Sequence, residues 1–349
     1  VLAVILPNLI SAVVFFVEPR LFYFRAWEYM SDIVYRVEGA GLEWNGAEAG
    51  DLSRASFFSA QESWVTHVSV DELGFRRVPI RAEQYPVAVA GDSSIFGSGL
   101  SDDETLPWVL AEKLGAPVFN GGRTSFDNML KHPALREVRL VIDMRGEEAI
   151  RSHFTPLEPD RAFQPLRDVQ GSLLFAVPPE RFLPAPWLMR MGNRMLRDLF
   201  GMNRGDGRGA GWVFSRCHHD PKHLDAVVAA AVALAEQVRA LGIEYAFVAV
   251  PNKQNIYGRD YGVAVDDYTL NFTGTLAAAL RARGIPSADL GAPLRAARDE
   301  GVYFRTDTHW TPRGVQVAAD EMVAQLDLPA LLATELAANP NGRKHLGDP

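Results

Sequence analysis

From Tyr85 onward, short apolar runs ending in turn residues alternate with stretches of helical spacing, and this alternation narrows the fold class more than any other property of the chain. The run YPVAVAGD reads as a buried strand closed by a turn, APVFN ends a strand at Asn120, and VRLVID ends another near Asp143. Between the first two, ETLPWVLAEKLG (Glu104 to Gly115) fits an amphipathic helix stopped by glycine. Further on, DAVVAAAVALAEQVRALG (Asp225 to Gly242) leads into IEYAFVAVP (Ile243 to Pro251). TLNFTGTLAAALRARG then leads into a short strand around Ser287 to Leu290, and a closing helix begins near Pro312. Strands joined by helices of this length require crossovers, which predicts an α/β fold with a mostly parallel sheet covered on both faces. In such sheets ligands bind outside the carboxyl ends of the strands. That rule puts GDSS, NGGRTS, DMRGEE and PNKQN on one rim.

The rest of the chain is organised around this unit. Val1 to Val17 carry no charge, at the short end of the roughly 17–25 residues that span a bilayer core. Phe22, Tyr23, Phe24, Trp27 and Tyr29 follow, mixed with Arg20 and Arg25, as expected where a helix meets lipid headgroups. Residues 1–37 are therefore expected to be a membrane segment; an anchor, a signal-peptide core and one helix of a larger bundle remain equal readings. Residues 38–84 lack a sustained period of either 3.6 or 2 and read as connecting structure with short strands. The α/β unit is expected over residues 85–330, followed by a tail at 331–349. It is interrupted at 152–222 by a proline-containing insertion with a basic, helically spaced segment, WLMRMGNRMLRDLF. A lid, a partner-docking surface, a membrane-lying helix and an ordinary packed excursion all fit that insertion. The 35 basic and 43 acidic residues give a net charge of −8, so no basic field gathers nucleic acid. Cys217 is the only cysteine, which excludes an intrachain disulfide.

Two short segments can carry chemistry. Ser93 lies in GDSSIFGSG directly after a predicted strand, where a tight turn presents its hydroxyl at the sheet edge beside backbone N–H groups. Gly-Asp-Ser alone is also an ordinary turn. The second segment, YFRTDTHWTPRG, places Asp307 and His309 two residues apart before the closing helix, close enough for the carboxylate to orient the imidazole. A serine after the first strand of the domain, combined with an Asp/His pair before its last helix, is far rarer than either feature.

At these residues the chain resembles the SGNH or GDSL-like hydrolases, whose first block GDSxxxG matches Gly91, Asp92, Ser93 and Gly97. The approach ELGFRR, the block GDSSIFGSGLSDDETLPWVLAEKL and the following VFNGGRTS look like the form of this fold found in bacterial envelope proteins. VPNKQNIYGRDYG and FRTDTHWTPRGVQVAADEMV look like the alginate O-acetylation proteins, which use an Asp-x-His-Trp block. The resemblance implies a three-layer α/β/α, flavodoxin-like sandwich preceded by an N-terminal membrane helix. It implies Ser93 as nucleophile, His309 as general base and Asp307 as the group that holds the imidazolium. The implied activity is acyl transfer, of acetyl in the first place, to an envelope or extracellular polysaccharide through an acyl-serine. An esterase and a catalytically silent carbohydrate-binding member of an export assembly are the alternatives. The implied setting is a membrane-anchored domain facing the periplasm, with a membrane-embedded acyltransferase as donor partner.

The family's oxyanion donors map less completely. Asn120 and Gly122 match the second block, Ser125 stands at the donor-glycine position, and Glu147 stands where an asparagine amide is expected. An ionised carboxylate accepts hydrogen bonds and repels an oxyanion, so Arg123, Arg145 and Lys253 are candidate replacements. Lys253 and Tyr257 also suit an acidic substrate or support of the loop. Trp310 is expected beside His309 as a wall, a sugar platform or both. Ser94 reads as a turn residue. In CHHDPKH, Cys217, His218, His219, Asp220 and His223 are all possible zinc ligands, but adjacent ligands seldom converge on one ion. The segment is read as a polar loop, and no metal or cofactor is expected.

Overall fold

The computed structural model describes residue 26 and residues 42–52, 62–148, 150, 154, 156–158, 162–164 and 212–333. Residue 26 apart, the expected membrane segment lies outside the described residues, as does the basic segment of the insertion; the tail expected from 331 lies outside them beyond residue 333, and its first three residues belong to the last helix. No described helix is long and apolar enough to cross a membrane.

The centre of the fold is a parallel five-stranded sheet. Its strands are β3 (Val87–Gly91), β4 (Val118–Gly122), β5 (Leu140–Gly146), β6 (Glu244–Val250) and β7 (Ser287–Ala288), ordered β4-β3-β5-β6-β7. They are preceded by an antiparallel hairpin of β1 (Leu42–Ala49) and β2 (Ser63–Val70). The helices are α1 (Ser93–Phe96), α2 (Leu106–Leu114), α3 (Phe126–Leu130), α4 (Leu224–Ala240), α5 (Lys253–Tyr257), α6 (Asp267–Leu270), α7 (Phe272–Arg281), α8 (Gly291–Ala296), α9 (Pro312–Leu326) and α10 (Leu328–Ala333).

Period-two alternation along the strands divides the core into two halves. Val87, Val89, Leu140, Ile142, Met144, Ala246 and Val248 pack against α2 and α9 on one face. Ala88, Ala90, Val141, Tyr245, Phe247 and Ala249 pack against α3, α4 and α7 on the other. Both faces are covered, which is why these strands read as near-continuous apolar runs. In α9, Val315, Ala318, Ala319, Met322 and Leu326 form the buried stripe, at the spacing an amphipathic helix requires. The strand expected over Ser287 to Leu290 is shorter than predicted, pairing with β6 only at Ser287 and Ala288. Chain order reverses between β3 and β5, so the crevice beyond their carboxyl ends is the topological switch point where such sheets bind ligands.

The region expected as connecting structure is more regular than its sequence suggests, since β1 and β2 pair from Leu42↔Val70 to Ala49↔Ser63. The hairpin leads into Arg76, a fully buried guanidinium. Arg76 Nε meets Asp102 Oδ1 at 2.7 Å, and its other nitrogens donate to the carbonyls of Phe96, Gly97 and Leu100 at 3.0, 3.0 and 2.7 Å. Ser69 N and Oγ complete the Asp102 carboxylate at 3.0 and 2.5 Å. Removing one partner of a buried charge pair leaves the other unpaired, so Arg76→Ala is expected to cost about 3–5 kcal/mol of folding stability. Lysine cannot reproduce the planar fork, so Arg76→Lys should recover only part of that loss when denaturation midpoints are compared.

Candidate active site

Ser93 stands at the first position of α1, immediately beyond β3. Asp92 caps that helix by accepting from Ser94 N at 2.8 Å, and its other oxygen accepts from Gly146 N at 3.3 Å, tying the ends of β3 and β5 together. Gly97 ends the turn at φ 86°, where an L side chain is strained and a Cβ would lie 2.4 Å from Thr105 Cγ2. The glycines of this block thus serve the tight strand-to-helix turn, and Arg76 holds the carbonyls at its exit.

The loop before α9 brings the second segment to Ser93. His309 Nε2 is 2.8 Å from Ser93 Oγ, and His309 Nδ1 is 2.6 Å from Asp307 Oδ1, which also accepts from His309 N at 2.9 Å. Asp307 is completely buried and His309 nearly so. A carboxylate can only accept, so Nδ1 carries the proton and Nε2 is left to accept from the serine hydroxyl. Thr311 caps α9 by accepting from Gly314 N at 3.3 Å, and a bridge between Tyr303 and Trp310 closes the loop.

The N-terminal hairpin completes this arrangement, which sequence reasoning did not foresee. Asp51 N donates to Asp307 Oδ2 at 2.9 Å. The Asp51 carboxylate accepts from Thr308 N at 2.8 Å and Thr308 Oγ1 at 2.5 Å, and its Oδ2 lies 3.8 Å from His309 Nδ1. Glu62 accepts from Thr306 N at 3.1 Å, and Trp64 stacks on Phe304 with centroids 4.0 Å apart. Asp51 and Glu62 sit in a polar stretch with no local motif around them. Only the packing of a segment about 250 positions away in sequence gives them a role.

Lys253, considered above for contact with an anionic substrate, is instead buried beneath the loop. Its ammonium donates to the carbonyls of Phe304, Arg305 and Asp307 at 3.1, 2.9 and 2.6 Å. Burial pulls its pKa down to about 7, against the opposing attraction of Asp51 and Glu62. The unfolded chain therefore holds this proton more tightly than the native state does. The stability tied to Lys253 is present above the ordinary lysine range and is lost as pH falls through about 7. Lys253→Met should flatten that slope, seen by comparing Tm at about pH 6 and about pH 9 in both proteins. It should also lower kcat more than it raises KM, because the lysine acts on the loop and not on substrate.

The other rim residues take distinct places. Gly122 N donates to Asn120 Oδ1 at 3.0 Å and Arg123 N donates to Gly91 O at 2.9 Å, so neither N–H is open to a ligand. Asn120 is buried, and its Nδ2 has no hydrogen-bond partner among the described residues. Arg123 has φ 66°, a left-handed backbone rare outside glycine, and its guanidinium lies 5.8 Å from the Phe96 ring centre. Ser125 is exposed and caps α3, accepting from Asn128 N at 3.2 Å, and no hydrogen bond from Ser93 N or Ser125 N is formed within the described residues. Arg145 is locked to Asp143 by contacts of 2.6 and 3.0 Å. Tyr257 supports the loop, donating to Arg298 O at 2.8 Å and accepting from Val302 N at 2.9 Å. Trp310 is 1% exposed, which makes it a wall of the core and not a surface platform.

Glu147, which stands where the resemblance expects an asparagine amide, belongs to a buried cluster. Its buried carboxylate accepts from Cys217 Sγ at 3.2 Å, faces His219 Nε2 at 3.3 Å and touches Asn255 Nδ2. Two groups of described residues bring metal-ligating atoms within 4.8 Å of one another: Glu147 with Cys217 and His219, and Asp51 with Asp307 and His309. The second is the carboxylate side of the imidazole described above. Of the other residues in the Cys217–His223 segment, His218 pairs with Asp266 at 3.2 Å, and Asp220 caps a turn at Lys222 N, 3.0 Å away.

Comparison with known proteins adds to this geometry. Residues 209–341 match the family model of the SGNH hydrolase-like domain of the acetyltransferase AlgX. The protein named "Probable alginate O-acetylase AlgJ" of Pseudomonas aeruginosa is 31% identical over 135 residues, 34% of this chain and 34% of that protein. Its namesake in Pseudomonas syringae pv. tomato is 51% identical over 53 residues, 15% of this chain and 14% of that one. The solved O-acetyltransferase domain of Pseudomonas putida AlgJ aligns at 25% identity and a TM-score of 0.31, covering 34% of this chain and 46% of that chain. The chain spans about a third or less of the length of these curated relatives. The GDSxxxG block and the Asp-x-His-Trp block are the motifs expected of such relatives, and over its C-terminal part the chain is similar to the SGNH hydrolase-like domains of AlgX and AlgJ.

Proposed function

We propose that this protein is a serine-dependent O-acyltransferase, acting most readily with acetyl, whose acceptor is a hydroxyl of an envelope or extracellular polysaccharide. The observation that carries the reading is the hydrogen-bonded chain from Ser93 Oγ through His309 to buried Asp307. That chain lets the imidazole take the serine proton while the carboxylate orients it, as nucleophilic catalysis requires.

Ser93 Oγ attacks the carbonyl of an acyl donor as His309 Nε2 takes its proton. Asp307 stabilises the imidazolium that forms. The tetrahedral oxyanion is held by the N–H groups of Ser93 and Ser125, neither of which has an internal partner among the described residues. Collapse expels the donor's leaving group with the proton from His309 and leaves acyl-Ser93. A sugar hydroxyl, deprotonated by the same imidazole, then attacks the acyl-enzyme, and its ester leaves as the serine hydroxyl reforms. Water in place of the sugar gives hydrolysis by the same steps.

The AlgJ relatives bear the name of alginate O-acetylases, which supports a polysaccharide acceptor. The uncharged N-terminal run supports a membrane tether. We place the domain on the periplasmic side, fed by a membrane-embedded acyltransferase. The test incubates the full chain with a small acetyl ester, with and without a uronate oligosaccharide, and follows acetate release and acceptor mass. Acetylated oligosaccharide is the expected product; acetate alone would make the protein an esterase. No turnover with either would leave a carbohydrate-binding protein on an enzyme fold.

A further inference from the structure

Away from the Ser93 triad, the end of β5, the segment entering α4, and α5 meet in a buried cluster that the acyl-transfer reading does not use. Glu147 Oε1, Cys217 Sγ and His219 Nε2 form a triangle with edges of 3.2, 3.3 and 3.3 Å. All three residues are buried, at 2%, 7% and 5% exposure. Cys217 and His219 lie two apart in the segment entering α4 and meet at 3.3 Å, whereas His218 between them pairs with Asp266.

We propose that Glu147, Cys217 and His219 bind a zinc-class divalent cation that fastens the returning end of the 152–222 insertion to the sheet rim. Thiolate, imidazole and carboxylate are the ligands that zinc takes, at about 2.3, 2.0–2.1 and 2.0–2.2 Å. Tetrahedral coordination at those lengths separates neighbouring ligand atoms by about 3.3–3.6 Å. The triangle is already within a few tenths of an ångström of that spacing. Asn255 supplies a second, independent observation. It is 2% exposed, its amide lies against Glu147 Oε1, and its Oδ1 has no hydrogen-bond partner among the described residues. Turning the amide over gives up its 3.3 Å donation to Thr269 O and places that oxygen toward the cluster as a fourth ligand.

The Cys217 thiol loses its proton to solvent on binding, and the thiolate and Glu147 carboxylate together neutralise the dication. The His219 ring is fixed for this task by stacking on Phe272, with centroids 3.6 Å apart, and a small cavity adjoins it. With four protein ligands the site would be closed, as structural zinc sites are.

The test is made on the full chain, stripped with a chelator and re-equilibrated with zinc or cobalt alone. About one equivalent of zinc per chain is expected to remain after gel filtration and to raise Tm. Cobalt should give a thiolate-to-metal charge-transfer band. Cys217→Ser and His219→Ala should each lower the retained metal at least about tenfold, while His218→Ala and His223→Ala should leave it unchanged. A folded wild-type chain that retains no zinc and shows no cobalt–thiolate band would overturn the proposal, as would metal retention unchanged in Cys217→Ser. The readouts are metal content and an absorption band, so the result stands apart from any outcome of the acyl-transfer assay.

Discussion

Alanine at position 93 is expected to lower acyl-ester turnover by about 10⁴-fold or more, to the residue left by binding and backbone donors alone. Ser93 Oγ is the atom His309 Nε2 faces at 2.8 Å. Ser94 is no substitute, because it occupies the next position of α1, where its own N–H is tied to Asp92. The Ser93→Ala protein should keep the wild-type Tm to within a few degrees, since the change removes one half-buried hydroxyl and no core contact. Turnover and melting measured on the same preparation separate lost chemistry from lost folding. Wild-type turnover in Ser93→Ala would place the nucleophile elsewhere.

The second large effect is expected at Asp307. Asparagine keeps the shape of the side chain but can offer an N–H to His309 Nδ1, which favours the tautomer with its proton on Nε2, unable to accept from the serine. A loss of about 10⁴-fold in kcat follows when an enzyme depends on this carboxylate alone. Here Asp51 Oδ2 lies 3.8 Å from His309 Nδ1, so a smaller loss, about 10²–10³-fold, is expected for Asp307→Asn. Combining it with Asp51→Asn should restore the full effect. The two substitutions are then non-additive, as for any pair sharing one partner. A single Asp307→Asn loss that Asp51→Asn does not deepen would assign Asp51 to loop support alone.

The contrast between these two carboxylates shows where the sequence was informative. Ser93, Asp307 and His309 stand in short turns whose residue types announce them, and the strands leading to those turns are apolar runs buried on both faces. The sheet and the rim were legible for that reason. Asp51 was not, because β1 buries one face only: Trp44 and Glu48 point inward while its other characterised side chains do not. A strand with a glutamate inside and Gly46 at its middle carries little period-two signal.

Glu147 and Lys253 were legible only in part: support of the loop was one of two readings open for Lys253, and Glu147 stood only as a departure from an expected asparagine. Their positions after β5 and β6 were read correctly, but a backbone position does not say which way a side chain turns. One joins Cys217 and His219, and the other is drawn under the loop by three carbonyl groups. Spacing argued against convergence within the Cys217–His223 run. It held for His218, but the side chains at positions 217 and 219 meet, and their partner comes from some 70 residues away.

The central claim is that Ser93 carries the acyl group, and the most direct measurement is intact-protein mass spectrometry of the chain quenched in acid during turnover of an activated acetyl ester. The expected result is a mass increase of one acetyl group, mapped to the peptide containing Ser93 and absent from Ser93→Ala and His309→Ala. Turnover of the ester with no adduct, or with the adduct unchanged in Ser93→Ala, would contradict it.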